Sequence, residues 1–361
     1  MQRGVDKLRQ QLEKMLEQSR FKTDKLRNLI PSVESLYPEL RDIRGLLGSR
    51  DSYTYILVGI LRRIFLIEPV KRDISSTKMW VRWKISEDLL FDENDPRFCP
   101  FEMCVEAFKY IINALRELLE ENREDIIEQL GLFRKYYLFK YEIPLDYAKR
   151  PQVIALGYRI HEPENFKWFF SQKVKNVLIL RKELITDSKY GGLFKSILRK
   201  KIKVKVYLTD RALTGEFKTN REKRWEAHPA SPQFALARTC LDVEYELLIQ
   251  LCHFEEFPRD VYNKLLKKGI IQQRAVTRCP VTLEPLSFSA LKDEVERPEH
   301  GRARIQIGHK IPLKRGGLHK PENIAWISED GNRIQGDLTL EEARHLILKI
   351  AENYKRFGLS P

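Results

Sequence analysis

The chain has few cysteines, and no two of them stand at the spacing of a metal-binding knuckle. Its 361 residues include five cysteines, which are scattered, odd in number and never arranged as Cys-x-x-Cys. This pattern disfavours both a disulfide framework and a structural zinc site. We therefore expect free buried thiols and a reducing, cytoplasmic location.

Long apolar segments are lacking as well. The most apolar stretch, residues 53–70, is interrupted by Arg62 and Arg63, and the first residues contain no apolar signal-peptide core. Because crossing a bilayer takes about 20 mostly apolar residues, the sequence predicts neither membrane insertion nor secretion. There is also no evident internal repeat or low-complexity tract.

What the chain does contain is an excess of positive charge. Lysine and arginine number 65 against 51 acidic residues, which gives a formal net charge of +14. A surplus of this size favours a polyanionic partner, either nucleic acid or an acidic membrane surface. The apolar content of 42% is sufficient for real cores and excludes wholesale disorder.

The pattern along the chain predicts an α+β protein with three regions. Residues 1–145 read as a helical domain, with a possible role in dimerisation or DNA recognition, and include a buried helix over residues 53–68. Residues 146–270 read as an α/β and helical DNA-binding region. Residues 271–361 read as a compact C-terminal domain that ends in a helix, which opens with a Thr339–Glu342 capping box.

Three strands are predicted in the middle region, namely Val153–Ile160, Val177–Arg181 and Lys201–Leu208. In the last of them Lys201, Lys203 and Lys205 alternate with apolar residues, so one face would be entirely lysine. The following basic loop carries Arg221 and Arg224. With the charge of +14, both features are candidate DNA contacts. The helices at 241–252 and 258–268 are either a helix-turn-helix or, as we favour, a pair of packed connecting helices.

The residues that carry chemistry lie near the C-terminus. His309 is followed by Pro312 and by the Gly316–Gly317 turn, then by Asn323 fourteen positions after His309 and by Asn332 nine positions later. An imidazole can accept a proton from water near neutral pH. An amide oxygen is a hard ligand that suits Mg²⁺, and a second amide can both donate and accept within a loop.

This segment resembles the HNH nucleases of the ββα-metal superfamily. The resemblance covers about 30 residues closely, and extends loosely over roughly the last 85 through a lead-in at Arg278–Thr282. It implies a general base at His309, a loop-stabilising amide at Asn323 and a metal ligand at Asn332. Arg333 and Lys310, next to these positions, are candidate phosphate contacts by charge.

One position departs from the family pattern. Most HNH nucleases place Asp or His, as a second metal ligand, directly before the base, where this chain has Gly308. Two readings stay open: either the metal rests on Asn332 and water molecules, or the site is inactive. Mg²⁺ commonly keeps several waters, so a site with one protein ligand is physically reasonable.

The resemblance and the basic remainder of the chain together predict an HNH-type type II restriction endonuclease. The expected reaction is hydrolysis of double-stranded DNA with Mg²⁺, or with Mn²⁺ or Ca²⁺ in its place. The expected assembly is a homodimer on a symmetric site, in a system that also contains a cognate DNA methyltransferase. Two alternatives remain: a less specific HNH nuclease of a defence or mobile element, and an inactive DNA-binding protein with an HNH fold.

Overall fold

A computed structural model describes residues 2–16, 23–67, 80–81, 83, 100–136, 167, 170–186, 188–212, 221–224, 227, 230–298 and 303–359 of the chain. The chain divides into two compact units. Unit 1 comprises Met1–Leu178 with Leu208–Arg238, and unit 2 comprises Ile179–Tyr207 with Thr239–Pro361. The described segments of the predicted middle region, residues 146–270, fall in both units. In the part of the chain that the structure describes, no helix has the length and apolar character that a membrane span requires.

Unit 1 is built mainly from helices. In chain order its elements are α1 (Gln2–Leu16), a 3₁₀ turn (Thr23–Leu29), α2 (Ile30–Leu36), α3 (Leu40–Leu47), α4 (Arg50–Phe65), β1 (Leu66–Ile67), β2 (Trp80–Val81), α5 (Phe101–Tyr136), the start of α6 (Gln172–Ile185), β3 (Leu208–Ala212) and β4 (Arg221–Lys223). The strands form two antiparallel pairs, β1 with β2 and β3 with β4. The buried apolar helix predicted over residues 53–68 corresponds to α4, whose Ser49 cap accepts a hydrogen bond from the Ser52 backbone.

Unit 2 holds the C-terminal elements. These are the end of α6, α7 (Gly191–Ile197), a π-helical turn (Leu198–Ile202), α8 (Lys203–Tyr207), α9 (Ala237–Cys252), α10 (Arg259–Lys267), α11 (Phe288–Glu296), β5 (Ile305–His309), β6 (Ile324–Ser328), α12 (Glu329–Gln335) and α13 (Leu340–Arg356). Together with the short antiparallel strand pairs, this helical content confirms the α+β class. The capping box predicted at the start of α13 is present, with Thr339 and Glu342 bonding reciprocally.

Two strands predicted in the middle region are wrong. Residues 177–181 lie within α6, and residues 201–207 are helical, whereas Val153–Ile160 lies outside the described residues. The reason is visible in the burial of residues 198–206. Leu198, Ile202 and Val206 are buried at intervals of four, so the alternation that suggested a strand equally fits one face of a helix.

The core of unit 2 includes an ion pair between α6 and α9. Arg181 and Glu244 are both fully buried and paired, and the Tyr207 hydroxyl donates to a Glu244 carboxylate oxygen at 2.6 Å. Burying charges is costly unless they are paired and hydrogen-bonded. The three side chains therefore stabilise one another and hold α6, α8 and α9 together.

The hairpin of β5 and β6 is fixed to α9 by Trp326. This side chain is fully buried, its indole nitrogen donates to the Leu247 carbonyl oxygen at 2.9 Å, and its ring meets that of Phe254 edge-on at 5.6 Å. A buried tryptophan normally satisfies its N–H in this way. The hairpin consequently has a rigid support on the side of α9.

The described cysteines agree with the expectation of buried thiols. Cys104, Cys240, Cys252 and Cys279 are free and buried, and Cys99 lies outside the described residues. Desolvation raises the pKa of the Cys252 thiol. It is therefore an unreactive part of the core at neutral pH.

Candidate active site

Two antiparallel strands and a helix form the scaffold of the candidate site. In β5 and β6, His309 lies opposite Ile324 and Ile307 lies opposite Trp326. Helix α12 follows β6 directly and packs against both strands. His309 is thus the last residue of β5, at the edge of a strand–strand–helix unit.

The loop between the strands is tied together by Asn323. Its amide oxygen accepts a hydrogen bond from the Ile311 backbone N–H at 2.7 Å, and its amide nitrogen donates to the carbonyl oxygens of Ile311 at 2.9 Å and Leu318 at 2.8 Å. The side chain is buried. One amide therefore holds two separate stretches of the loop that follows His309.

The Gly316–Gly317 turn is shaped by this close packing. Gly316 has a φ of +83°, in the left-handed region that favours glycine. A Cβ at Gly317 would lie 2.0 Å from the Ile311 carbonyl oxygen and 2.9 Å from the Asn323 amide nitrogen. Both glycines are required for the loop to return beside β5.

A second histidine contacts the His309 ring. The Nε2 atom of His309 lies 2.9 Å from Nδ1 of His319, and the ring centroids are 5.3 Å apart. His309 is half-buried, whereas only 3% of His319 is exposed. With both rings neutral, one nitrogen of this pair donates and the other accepts. The contact therefore sets the orientation of the His309 ring.

The backbone of His309 is held by α12. The Gln335 side-chain nitrogen donates to the His309 carbonyl oxygen at 2.8 Å and to that of Lys310 at 3.1 Å. Asn332 is exposed and precedes Gln335 by three positions on the same helix. Residues three apart are neighbours on a helix surface. The contacts of Gln335 tie α12 to the His309 end of β5, and Asn332 lies about one turn earlier on that helix.

Helix α12 approaches the hairpin so closely that Gly331 is needed at its N-terminal turn. A Cβ there would lie 2.5 Å from the Cys279 sulfur and 3.1 Å from Cγ1 of Ile327. Burial is the largest single influence on the Cys279 thiol and would raise its pKa, but the hydrogen bonds from Ser328 and Thr282 together outweigh burial, so the pKa is lowered. The lead-in turn of the motif thereby packs directly beneath α12.

The candidate metal ligand near His309 is the side-chain oxygen of Asn332. Among the described residues no group of three or more His, Cys, Asp or Glu side chains is arranged to hold a metal ion. The exposed amide of Asn332 is a hard oxygen donor, which suits Mg²⁺ with most of its coordination completed by water. A divalent cation at Asn332 therefore stays a prediction of the resemblance, with one protein oxygen as its candidate ligand.

The predicted phosphate contacts of the motif lie at the surface but have partners. Arg333 is 67% exposed and pairs with Glu329 and Asp330, one turn away on α12. The Lys310 ammonium donates to the Glu322 carbonyl oxygen at 2.9 Å. Both are exchangeable interactions at the surface, which a phosphate can replace at small cost.

The DNA contacts predicted in the middle region need correction. Lys201 bonds with Glu294 and with the Ile305 carbonyl oxygen, and the continuous lysine face does not exist because Lys203 and Lys205 are on a helix. Arg224 is fully buried and donates to Gln233. Its guanidinium serves the fold and is not available to read a base.

Two other predicted features have mixed outcomes. Arg221 lies on β4, and its side chain is outside the described part of the structure. On the helix pair α9 and α10, Lys264 and its C-terminal neighbour Lys268 bond with the buried carboxylate of Glu183. This ion pairing agrees better with packed connecting helices than with a helix-turn-helix that presents those lysines to DNA.

Sequence reasoning missed His319 and Gln335. His319 belongs to none of the predicted site positions, yet it contacts the ring of the candidate base. The available signal was its position two residues after the Gly316–Gly317 turn, which returns the chain toward β5. Nothing in the sequence singles out Gln335, because one polar residue on a short helix belongs to no repeating pattern.

Comparisons with known proteins include a weak structural match. Neither a family model nor a curated protein matches the chain. A crystal structure of a type II restriction endonuclease matches with a TM-score of 0.31 and 19% identity, over 48% of this chain and 82% of that one. A TM-score of this size does not establish a common fold, so it carries no weight for function.

Proposed function

We propose that this protein is a metal-dependent DNA endonuclease with an HNH-type active site in unit 2. The observation that carries the proposal is the placement of His309 at the end of β5, with its loop tied by Asn323 and its backbone bonded to α12. This geometry gives a histidine fixed at the open edge of a strand–strand–helix unit. This placement supports the role of general base that the resemblance implies for His309.

In the proposed reaction His309 accepts the proton of the attacking water. We assign the N–H of the histidine pair to His309 Nε2, which then donates to Nδ1 of His319. The basic lone pair of His309 is thereby placed on Nδ1. The water oxygen forms a bond to phosphorus, the bond from phosphorus to the 3′ oxygen breaks, and a proton from solvent completes the 3′-hydroxyl. The other product carries a 5′-phosphate.

Asn332 is the residue that would hold the divalent cation, through its side-chain oxygen. When bound, Mg²⁺ supplies positive charge that neutralises the phosphate and the leaving oxygen. His319 orients His309, and Asn323 keeps the loop from moving the ring away from the water. Arg333 and Lys310 add positive charge for the DNA backbone beside the site.

The specific substrate we propose is duplex DNA with a defined recognition sequence. The net charge of +14 supports a nucleic-acid partner, and most of the chain lies outside the small nuclease motif. A large region of this kind is suited to binding and sequence choice, as in a restriction endonuclease. One alternative is a less specific nuclease. The other is an inactive DNA-binding protein, which Gly308 would explain because a second metal ligand is missing at that position.

A cleavage assay on phage DNA of known sequence tests this proposal. We expect sharp fragments in Mg²⁺ and none in EDTA. A Mg²⁺-dependent smear would retain the chemistry and contradict the restriction-enzyme assignment. Absence of cleavage on several unmodified DNAs, across Mg²⁺, Mn²⁺ and Ca²⁺, would contradict the nuclease and favour the inactive binding protein.

Gly308 provides a gain-of-function test. A Cβ at this position would meet only Ile327, whose Cγ2 atom lies at 3.4 Å, an ordinary contact. The Ile327 side chain also faces Gly331 of α12, next to Asn332. A side chain at position 308 therefore fits, and its Cβ would lie against the same Ile327 side chain that Gly331 of α12 approaches.

We expect Gly308→Asp to lower the Mg²⁺ concentration for half-maximal cleavage by about tenfold or more. The added carboxylate supplies a second oxygen ligand, and changes in a metal's immediate surroundings typically alter affinity by about 10–100-fold. Gly308→Ala is the matched control, because it adds the Cβ without a ligand. An unchanged Mg²⁺ titration in a folded Gly308→Asp protein would place the metal elsewhere.

A further inference from the structure

The C-terminal helix α13 exposes most of its apolar side chains. Its one buried residue is Ala343, close to its N-terminus. The exposed fraction is 46% for Ile350, 55% for Tyr354 and 73% for Phe357 just beyond the helix. Clusters of exposed apolar residues on a soluble protein commonly mark an interaction surface.

The apolar residues of α13 and Phe357 just beyond it follow the spacing of a coiled-coil seam, in which Ala343 is buried within the same copy, Ile347 is half-buried and the rest are exposed. Ala343, Ile347, Ile350, Tyr354 and Phe357 are separated by four, three, four and three positions. This is the a/d pattern of two heptads, in which apolar residues of one helix insert between those of another. We refer to these five residues as the α13 stripe. A face with this pattern can pack against a second helix.

We propose that the α13 stripe pairs with the α13 stripe of a second copy of this chain. The stripe has no charged member, and the flanks of its middle, Leu346, Ala351 and Asn353, are neutral. Glu342 and Arg344 flank its first turn and bond with Arg315 and the Pro280 carbonyl oxygen of the same copy. A twofold interface brings the same surface together with itself, so any charge on it would meet its own sign. Because the stripe is uncharged, two copies of it can pack together without repulsion. A charged partner surface would find no opposite charge on it.

The charges at the ends of the helix favour an antiparallel arrangement. The first turn carries Glu341 and Glu342, and the last turn carries Lys355 and Arg356. Two antiparallel copies place each acidic end beside a basic end, and their helix dipoles oppose each other. A parallel pair would put ends of equal charge together. The middle of the stripe, near Ile350, then lies close to the twofold axis.

This pairing has a consequence that rests on the proposed function. Helix α13 begins a few residues after α12 and contacts it, so each copy brings its own His309 site to the assembly. One site per strand is the simplest means of cutting both strands of a duplex. The pairing itself does not depend on nuclease activity, so the two proposals fail separately.

The test is the mass of the full chain in solution, measured by sedimentation velocity over a range of concentrations. We expect wild type at twice the chain mass of 42.8 kDa. Ile350→Glu places two like charges near the axis, and we expect the dimer dissociation constant to rise by about 100-fold or more. The side chain is already half-exposed, so the fold and the circular dichroism spectrum should not change.

Leu348→Glu is the matched control. Leu348 is 61% exposed on the same helix but lies off the stripe, and the same charge there should leave the dimer intact. A monomeric wild type, a dimeric Ile350→Glu or a monomeric Leu348→Glu would each overturn the proposal. Orientation is tested by oxidative crosslinking: Ile350→Cys should crosslink, and Phe357→Cys should not, because antiparallel copies separate that residue by about 20 Å.

Discussion

His309→Ala is expected to reduce the rate of DNA cleavage by about 10²–10⁴-fold, the usual contribution of a general base. The substitution removes the imidazole that accepts the proton of water, while the backbone bonds from Gln335 to residue 309 remain available. The measurement is single-turnover cleavage at saturating enzyme and Mg²⁺. DNA binding, followed by gel shift in EDTA, should be nearly unchanged because the ring is not a phosphate contact.

His345→Ala is the control for this experiment. His345 is exposed on α13, on the side opposite the stripe, and makes no part of the proposed site. Its removal should leave both cleavage and binding at the wild-type level. Full cleavage by a folded His309→Ala protein would mean that the chemistry lies elsewhere in the chain.

Asn323→Ala is expected to have the largest effect on stability within the site. It removes three hydrogen bonds to the backbone of Ile311 and Leu318. At about 1 kcal/mol for each bond, the free energy of unfolding should fall by about 3 kcal/mol. For a unit of this size the corresponding fall in melting temperature is roughly 6–12 °C. Differential scanning calorimetry provides the measurement.

The same variant should also lose cleavage at temperatures where it remains folded. The loop that follows His309 is no longer held, so the ring leaves the position that serves the water. Asn263→Ala, at an exposed position of α10, is the control and should melt as wild type does. A melting temperature that does not change in Asn323→Ala would show that the loop is held by other contacts.

Local signals in the sequence predicted much of the fold. The Thr339–Glu342 box begins α13 as expected, because capping involves residues three apart in the chain. Over residues 304–328 the sequence predicts two short strands around the Gly316–Gly317 turn, and β5 and β6 lie in that range. The buried helix α4 followed from apolar content alone. Each of these features depends on neighbours in sequence.

The errors lie where one pattern fits two structures. In residues 201–207 the alternation of apolar residues fits a strand, while apolar residues four positions apart fit one face of a helix. Packing decided for the helix. Arg224 looked like a surface residue by composition. It is buried with its guanidinium bonded to Gln233, nine positions later, and no local sequence pattern links these two residues.

By itself, the sequence determined the identity of the candidate catalytic residues, the hairpin that carries His309 and the caps of the last helix. These follow from residue type and short-range spacing. Only the tertiary structure decided that His319 contacts the His309 ring, that Gln335 joins α12 to β5 and that the α13 stripe is left exposed from Ile350 onward. The physical reason is that hydrogen-bond partners and burial depend on which distant segments pack together, and spacing along the chain does not record that.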